Sequence, residues 1–107
     1  MEGRGGGGVV MASPRCIAVL RYLHRYHGIG NEYDRPIAVT RNVMAVRLGI
    51  PANTLSVVIS EMIRRGYVYK EMKHPATEEG KIGKKAYCYD LTEFGVAVAR
   101  TLAEGSE

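Results

Sequence analysis

The sequence predicts a single α+β domain: a helix, a short strand, two helices joined by a tight turn, a β-hairpin and a closing helix. Three observations lead there. Thr40 to Val68, TRNVMAVRLGIPANTLSVVISEMIRRGYV, carries two helix-period apolar patterns separated by Gly49 and Pro51. Tyr67 to Lys73 alternates β-formers, then a loop with Pro75, Gly80 and Gly83 leads into a second β-rich run, Lys85 to Leu91. The chain has 107 residues, 46% of them hydrophobic, enough for one modest core.

Residues 1–12, MEGRGGGGVVMA, form a flexible glycine-rich N-terminus that cannot hold structure unaided. Val9, Val10 and Met11 remain free to pack on a neighbour, and Met11 is a second candidate start of the protein. The folded domain spans residues 13–104. Ser13-Pro14 is a helix start, with serine as N-cap and proline in the first helical position. This helix runs to about His27, with Cys16, Val19, Leu20, Leu23 and Tyr26 on one stripe that Ile17 and Tyr22 widen. Gly28 and Gly30 break it, and residues 28–36 read as a polar loop. The apolar run Pro36-Ile37-Ala38-Val39 suits a short edge strand opening on proline.

Thr40 is placed to cap the next helix, whose inner face holds Val43, Met44 and Leu48 with Ala45 beside them. Gly49 stops it, since glycine enters the left-handed region without a steric penalty. Ile50 anchors a turn through Pro51 and Ala52. Leu55, Val58, Ile59 and Met62 then recur at i, i+3, i+4 and i+7 before Gly66 ends the second helix. Small Ala45 leaves room for a crossing helix, and Met44, Leu48, Ile50, Leu55 and Val58 supply a shared seam. The register favours a helix-turn-helix over an ordinary helical hairpin. In the hairpin that follows, residues 74–84 form the loop, and Tyr87, Tyr89 and Leu91 share a face of the returning strand. Thr92 caps the last helix, whose buried stripe is expected at Phe94, Val98, Thr101 and Leu102. Gly95 costs helix stability and so points to a close backbone approach. Residues 104–107 are expected to fray.

Residues 40–92 resemble the winged-helix family of DNA-binding proteins, of the MarR and PadR type. LGIPANTLSVVISEMIRRGYV is similar to that family's turn, recognition helix and following strand. YCYDLTEFG, residues 87–95, resembles its closing strand and the start of its last helix. The likeness covers roughly residues 14–103. It implies a winged helix-turn-helix fold with the hairpin as the wing. It also implies a transcriptional regulator, more often a repressor, that binds double-stranded DNA without a cofactor. The partner copy in a homodimer would meet the first and last helices. Short length and the absence of any glutamine give the sequence the look of a small thermophilic regulator, archaeal or archaeal-viral.

The formal net charge is +4, and it is unevenly spread. Residues 35–85 carry ten basic side chains against four acidic ones, a surplus of six, while the rest of the chain is net acidic. A polyanion is the natural partner of such an asymmetry. There is no run of about 18 apolar residues to make a transmembrane helix, and the glycine-rich start lacks a signal peptide's apolar core. A cytoplasmic location is the expectation. Cys16 and Cys88 usually stay reduced there, although a disulfide, within the chain or between two copies of Cys16, is left open.

The outward face of residues 52–64 is expected to present Ala52, Asn53, Ser56, Val57, Ser60 and Arg64, with Thr54 near the helix start. A helix can carry such side chains into the major groove. The resemblance assigns these positions to bases and phosphates: Asn53 to adenine, Ser56 and Ser60 to base or phosphate, Val57 to a thymine methyl, Thr54 to a phosphate. Family members often carry Arg or Lys where this chain has Ala52, Val57 and Ser60. The face is therefore nearly uncharged, and its specificity would lean on DNA shape. Lys81, Lys84 and Lys85 on the wing would meet the backbone or minor groove, with Glu78 and Glu79 turned away. Arg35, Arg41 and Arg47 are the expected phosphate clamps.

Other chemistry is thinly represented. His24 and His27 lie i, i+3 with Cys16 two turns earlier, a spacing that can bind metal, but no second cluster completes a four-ligand site. No nucleophile-base pair, phosphate loop or carboxylate dyad suggests an enzyme. The competing function is a winged helix used as a protein-interaction module in a transcription or processing assembly, which the uncharged helix face would suit.

Overall fold

The structure is a computed structural model describing residues 13–105. The expectations for residues 1–12, and for the final two residues, lie outside the described residues. In chain order the elements are α1 (Pro14–Arg25), β1 (Asp34–Pro36), a 3-10 turn (Ile37–Val39), α2 (Arg41–Leu48), α3 (Ala52–Arg64), β2 (Val68–Ala76), β3 (Ala86–Leu91) and α4 (Glu93–Gly105). This is the α+β arrangement of a winged helix-turn-helix: α2 and α3 form the motif, β2 and β3 the wing, and α1 and α4 the backing layer.

α1 begins at Ser13-Pro14 as expected. Ser13 makes no side-chain cap bond; its carbonyl accepts from the Ile17 amide at 3.1 Å. The helix ends at Arg25, two residues early, because the chain turns at Tyr26 toward a left-handed Gly28. Its inner face buries Cys16, Val19, Leu20, Tyr22 and Leu23. Tyr22 can go inside because its hydroxyl donates to the Ala38 carbonyl at 2.6 Å.

The first strand is displaced from its expected place at residues 36–39. It is Asp34–Pro36, paired in parallel with His74–Ala76 at the far end of β2. Residues 37–39 tighten into the 3-10 turn instead. A strand would have turned one of the neighbours Ala38 and Val39 away from the core, whereas the turn buries both. A single bridge from Thr40 to Cys88 keeps the connection to β3.

Thr40 occupies the cap position of α2, but its hydroxyl donates to the Ile37 carbonyl at 2.7 Å rather than accepting a helix amide. At the other end Gly49 is left-handed, with φ 68 and ψ 31. The chain then turns through 109° between α2 and α3, within the range for a helix-turn-helix. Met44, Ala45, Ile50, Leu55, Ile59 and Met62 are buried, and Leu48 and Val58 pack at the edge of the same cluster. Among the described residues no single helix is long and apolar enough to cross a membrane.

β2 and β3 pair antiparallel from Val68–Leu91 to Lys73–Ala86. β2 runs three residues further than the alternation predicts, because residues 74–76 find a second partner in β1. The wing loop is therefore 77–85 rather than 74–84. Tyr87, Tyr89 and Leu91 do share a face, but Leu91 is buried at its base while Tyr87 stands exposed. The opposite face of β3 is buried as well, at Cys88 and Asp90.

Thr92 caps α4, accepting the Gly95 amide at 3.0 Å. The buried stripe differs from the expected one. Phe94 is 54% exposed and Thr101 lies in solvent, while Gly95, Ala99 and Leu102 face inward with Val96 and Val98 beside them. The reason is a single contact: a Cβ on Gly95 would stand 2.1 Å from the Tyr67 carbonyl oxygen. That approach sets the helix phase and turns Phe94 out to stack on Tyr67, ring centroids 5.0 Å apart. The helix continues through Glu104 to Gly105 where fraying was expected.

Candidate nucleic-acid interface

α3 is amphipathic, and its buried stripe fixes what remains outside. Asn53, Val57, Ser60 and Arg64 are exposed, Val57 to 70%. Ser56 and Thr54 are half-buried. Ser56 accepts a hydrogen bond from the Arg41 guanidinium at 3.0 Å, so a cation of α2 is laid against the polar face of α3. The Thr54 amide donates to Asn53 Oδ1 at 2.9 Å. Ala52 departs from expectation: it packs against the core at the turn rather than facing outward.

Arg64 is exposed but not a free cation. It donates to both oxygens of Glu61, and Arg65 donates to the same carboxylate at 2.6 Å. The hydrogen bond from Arg64, then that from Arg65, holds the Glu61 carboxyl below its ordinary range. Ser56, Val57, Ser60, Glu61 and Arg64 line one shallow groove along the helix. It is neutral at one end and charge-balanced at the other.

Arg35 departs most from expectation. Taken from the sequence as a phosphate clamp, it is 6% exposed, with its guanidinium 2.9 Å from Asp90 and 3.1 Å from Glu71. Burial works against its charge, but the bond to Asp90 and the charges of Asp90 and Glu71 outweigh this and raise its pKa. Asp90 is likewise buried. Desolvation alone would raise its pKa; contacts with His27, Arg35 and the Leu91 and Gly28 amides reverse that and hold it below the usual carboxylate value. His27 therefore spends its Nδ1 on Asp90 at 2.8 Å, not on a metal. Among the described residues no group of three or more His, Cys, Asp or Glu side chains could hold a metal ion. Cys16 and Cys88 are both free and buried.

Arg41 and Arg47 remain at the surface, Arg47 donating to the Tyr26 hydroxyl at 3.0 Å. Lys81, Lys84 and Lys85 are exposed on the wing loop, and so are Glu78 and Glu79. One surface pair escaped the sequence reading: the Lys70 ammonium sits 4.5 Å over the Tyr87 ring. Tyr87 and Tyr89 face Thr40, Arg41 and Asn42 across a groove that runs from the N-terminus of α2 to the wing. The available signal was the alternation of β3, which placed Tyr87 on the face of Leu91 but too near the tip to be covered.

In fold the chain is similar to a crystal structure from Ralstonia eutropha JMP134 described as a candidate DNA-binding protein. The two share 23% identity and superpose with a TM-score of 0.59 over 84% of this chain and 95% of that one. No family model and no curated protein matches the chain.

Proposed function

We propose that this protein is a transcriptional regulator that binds double-stranded DNA, with α3 in a major groove. The observation that carries the reading is the exposed, neutral strip of Asn53, Val57 and Ser60 beside a surface cation, Arg41, already docked on Ser56. A strip without charge can enter a groove without desolvating an ion. Val57, exposed although apolar, suits a thymine methyl, and Asn53 suits adenine. Arg41 and Arg47 hold phosphates beside the motif, and Lys81, Lys84 and Lys85 reach the backbone or minor groove. The description of the Ralstonia protein supports the same reading. Two copies meeting through α1 and α4 would set two α3 helices about 34 Å apart on an inverted repeat, and repression would follow from occlusion.

The test begins with duplexes selected from a random pool and measured by fluorescence anisotropy. Ser60→Glu should weaken binding by more than about 1 kcal/mol through repulsion, with thermal unfolding unchanged. Equal affinity for the variant would remove α3 from the groove.

One observation favours a second reading, a protein-interaction module: Val46 is 81% exposed on the outer side of α2. Val46→Lys should leave the selected duplex bound if the first reading holds. Failure of the random pool to yield any duplex, together with a partner protein lost on Val46→Lys, would favour the second.

A further inference from the structure

Beyond its buried base, one face of the wing ladder carries a patch that neither the core nor the α3 strip uses. Residues paired across an antiparallel ladder share a face. Lys70 pairs with Tyr89 and Met72 with Tyr87, so these four stand on one side. Met72 is 47% exposed and Tyr87 50%, while Tyr89 is half-buried. The Lys70 ammonium lies 4.5 Å over the Tyr87 ring, so that ring face is covered by a flexible lysine rather than by packed core. Tyr87 and Tyr89 also wall a groove of about 290 Å³ against Thr40, Arg41 and Asn42.

The charge of this patch has one sign. The carboxylates of the two strands, Glu71 and Asp90, fall on the opposite face, where Arg35 binds both. Among the described residues no carboxylate lines the groove, and neither Lys70 nor Arg41 forms an ion pair. Aromatic rings between unpaired cations match what a nucleic-acid strand offers, flat bases on a phosphate chain. The spacing says which form of strand. Tyr87 and Tyr89 are two residues apart on β3, about 7 Å. Bases of a duplex strand follow one another at about 3.4 Å and cover each other's faces. Only an unpaired, extended strand can lay a free base face on Tyr87 with the next base beside Tyr89.

We infer that this face binds an unpaired DNA strand, with one base stacked on Tyr87, its neighbour in the groove beside Tyr89, and their phosphates held by Lys70 and Arg41. The choice of DNA over RNA rests on the proposed function, because Arg41 also borders the α3 strip through Ser56. The stacking itself does not depend on α3 entering a major groove.

Fluorescence anisotropy on the full chain compares three labelled strands of about 8 nucleotides. They are oligothymidylate, its ribose counterpart oligouridylate, and an abasic DNA strand that keeps the phosphates without the rings. Oligothymidylate should bind about tenfold more tightly than the abasic strand. Tyr87→Ala, at an exposed position, should abolish that preference while leaving the abasic strand and the selected duplex bound as before, and Tyr87→Phe should keep it. Lys70→Gln should weaken both DNA strands and make the slope of log affinity on log salt shallower by about 0.7. Ser60→Glu, which tests α3, should leave oligothymidylate binding unchanged, so the two readings fail separately. Equal affinity for oligothymidylate and the abasic strand overturns the inference, as does a Tyr87→Ala chain that still prefers bases. Tighter binding of oligouridylate would make the partner RNA, and tighter binding of a polyglutamate of equal charge would make it an acidic protein; either result overturns the assignment to DNA.

Discussion

The helix-turn-helix and the corner where β1 meets the wing are held together by opposite means. In the motif, Met44, Ile50, Leu55, Ile59 and Met62 close an apolar seam, and polar groups stay on the surface. In the corner a buried guanidinium lies between Asp90 and Glu71, with His27 and the Gly28 and Leu91 amides completing the Asp90 carboxylate's partners. Apolar contact is non-directional, so a truncated side chain in the seam costs its own area and cavity. An ionic knot has no such gradation, because removing one partner leaves a buried charge unmet. The contrast also separates the number of cations from their availability. Arg35 belongs to the interior, and Arg64 and Arg65 share Glu61. Under the proposed function, the grip on a polyanion would fall to Arg41, Arg47 and the wing lysines.

Asp90→Ala tests the corner most severely. It strips Arg35 and His27 of their shared partner and should cost about 3–5 kcal/mol in urea denaturation. A loss below about 1 kcal/mol would mean that the corner behaves like a surface pair and that the contrast does not exist. Outside both regions, α4 approaches backbone closely at Gly95, where an added Cβ would stand 2.1 Å from the Tyr67 carbonyl oxygen. Gly95→Ala gains helix propensity but must push α4 off backbone, and should cost about 3 kcal/mol net. A stabilised variant would show that the approach is looser than 2.1 Å implies.

Acid should distinguish the regions more gently. The pKa of Asp90 is depressed in the fold, so its contribution is complete above the ordinary aspartate value and is lost as pH falls through the folded one. The loss therefore lies below pH about 4. Urea midpoints measured from pH 5 downward should fall in the native chain and fall less in Asp90→Asn. Parallel curves would assign the acid limb to other carboxylates.

What could be read from sequence follows the same division. The motif was legible because its determinants are local: Gly49 at a helix end, and Leu55, Ile59 and Met62 one and two turns apart. Asn53, Val57 and Ser60 followed as the outward face because the inward one was fixed. The corner was illegible because Arg35 and Asp90 are 55 residues apart, and an arginine destined for the interior has the same spelling as one destined for phosphate. Asp90, an acid between Tyr89 and Leu91 in a β-rich run, was the one local hint. The phase of α4 failed for a related reason. Phe94 outweighs Gly95 in any hydrophobic pattern, yet the smaller residue decided the packing. Ala52 failed similarly, since a small apolar residue at a tight turn can face either way.

If a neutral helix is held on a duplex by flanking cations, the grip must be salt-sensitive in proportion to the cations that touch phosphate. The direct measurement is the affinity for a selected duplex against salt concentration, in the native chain and in Arg41→Ala plus Lys84→Ala. The slope of log affinity on log salt should become shallower by about 0.9 for each contact removed, with the fold intact. A slope that does not change when both cations are gone would contradict it.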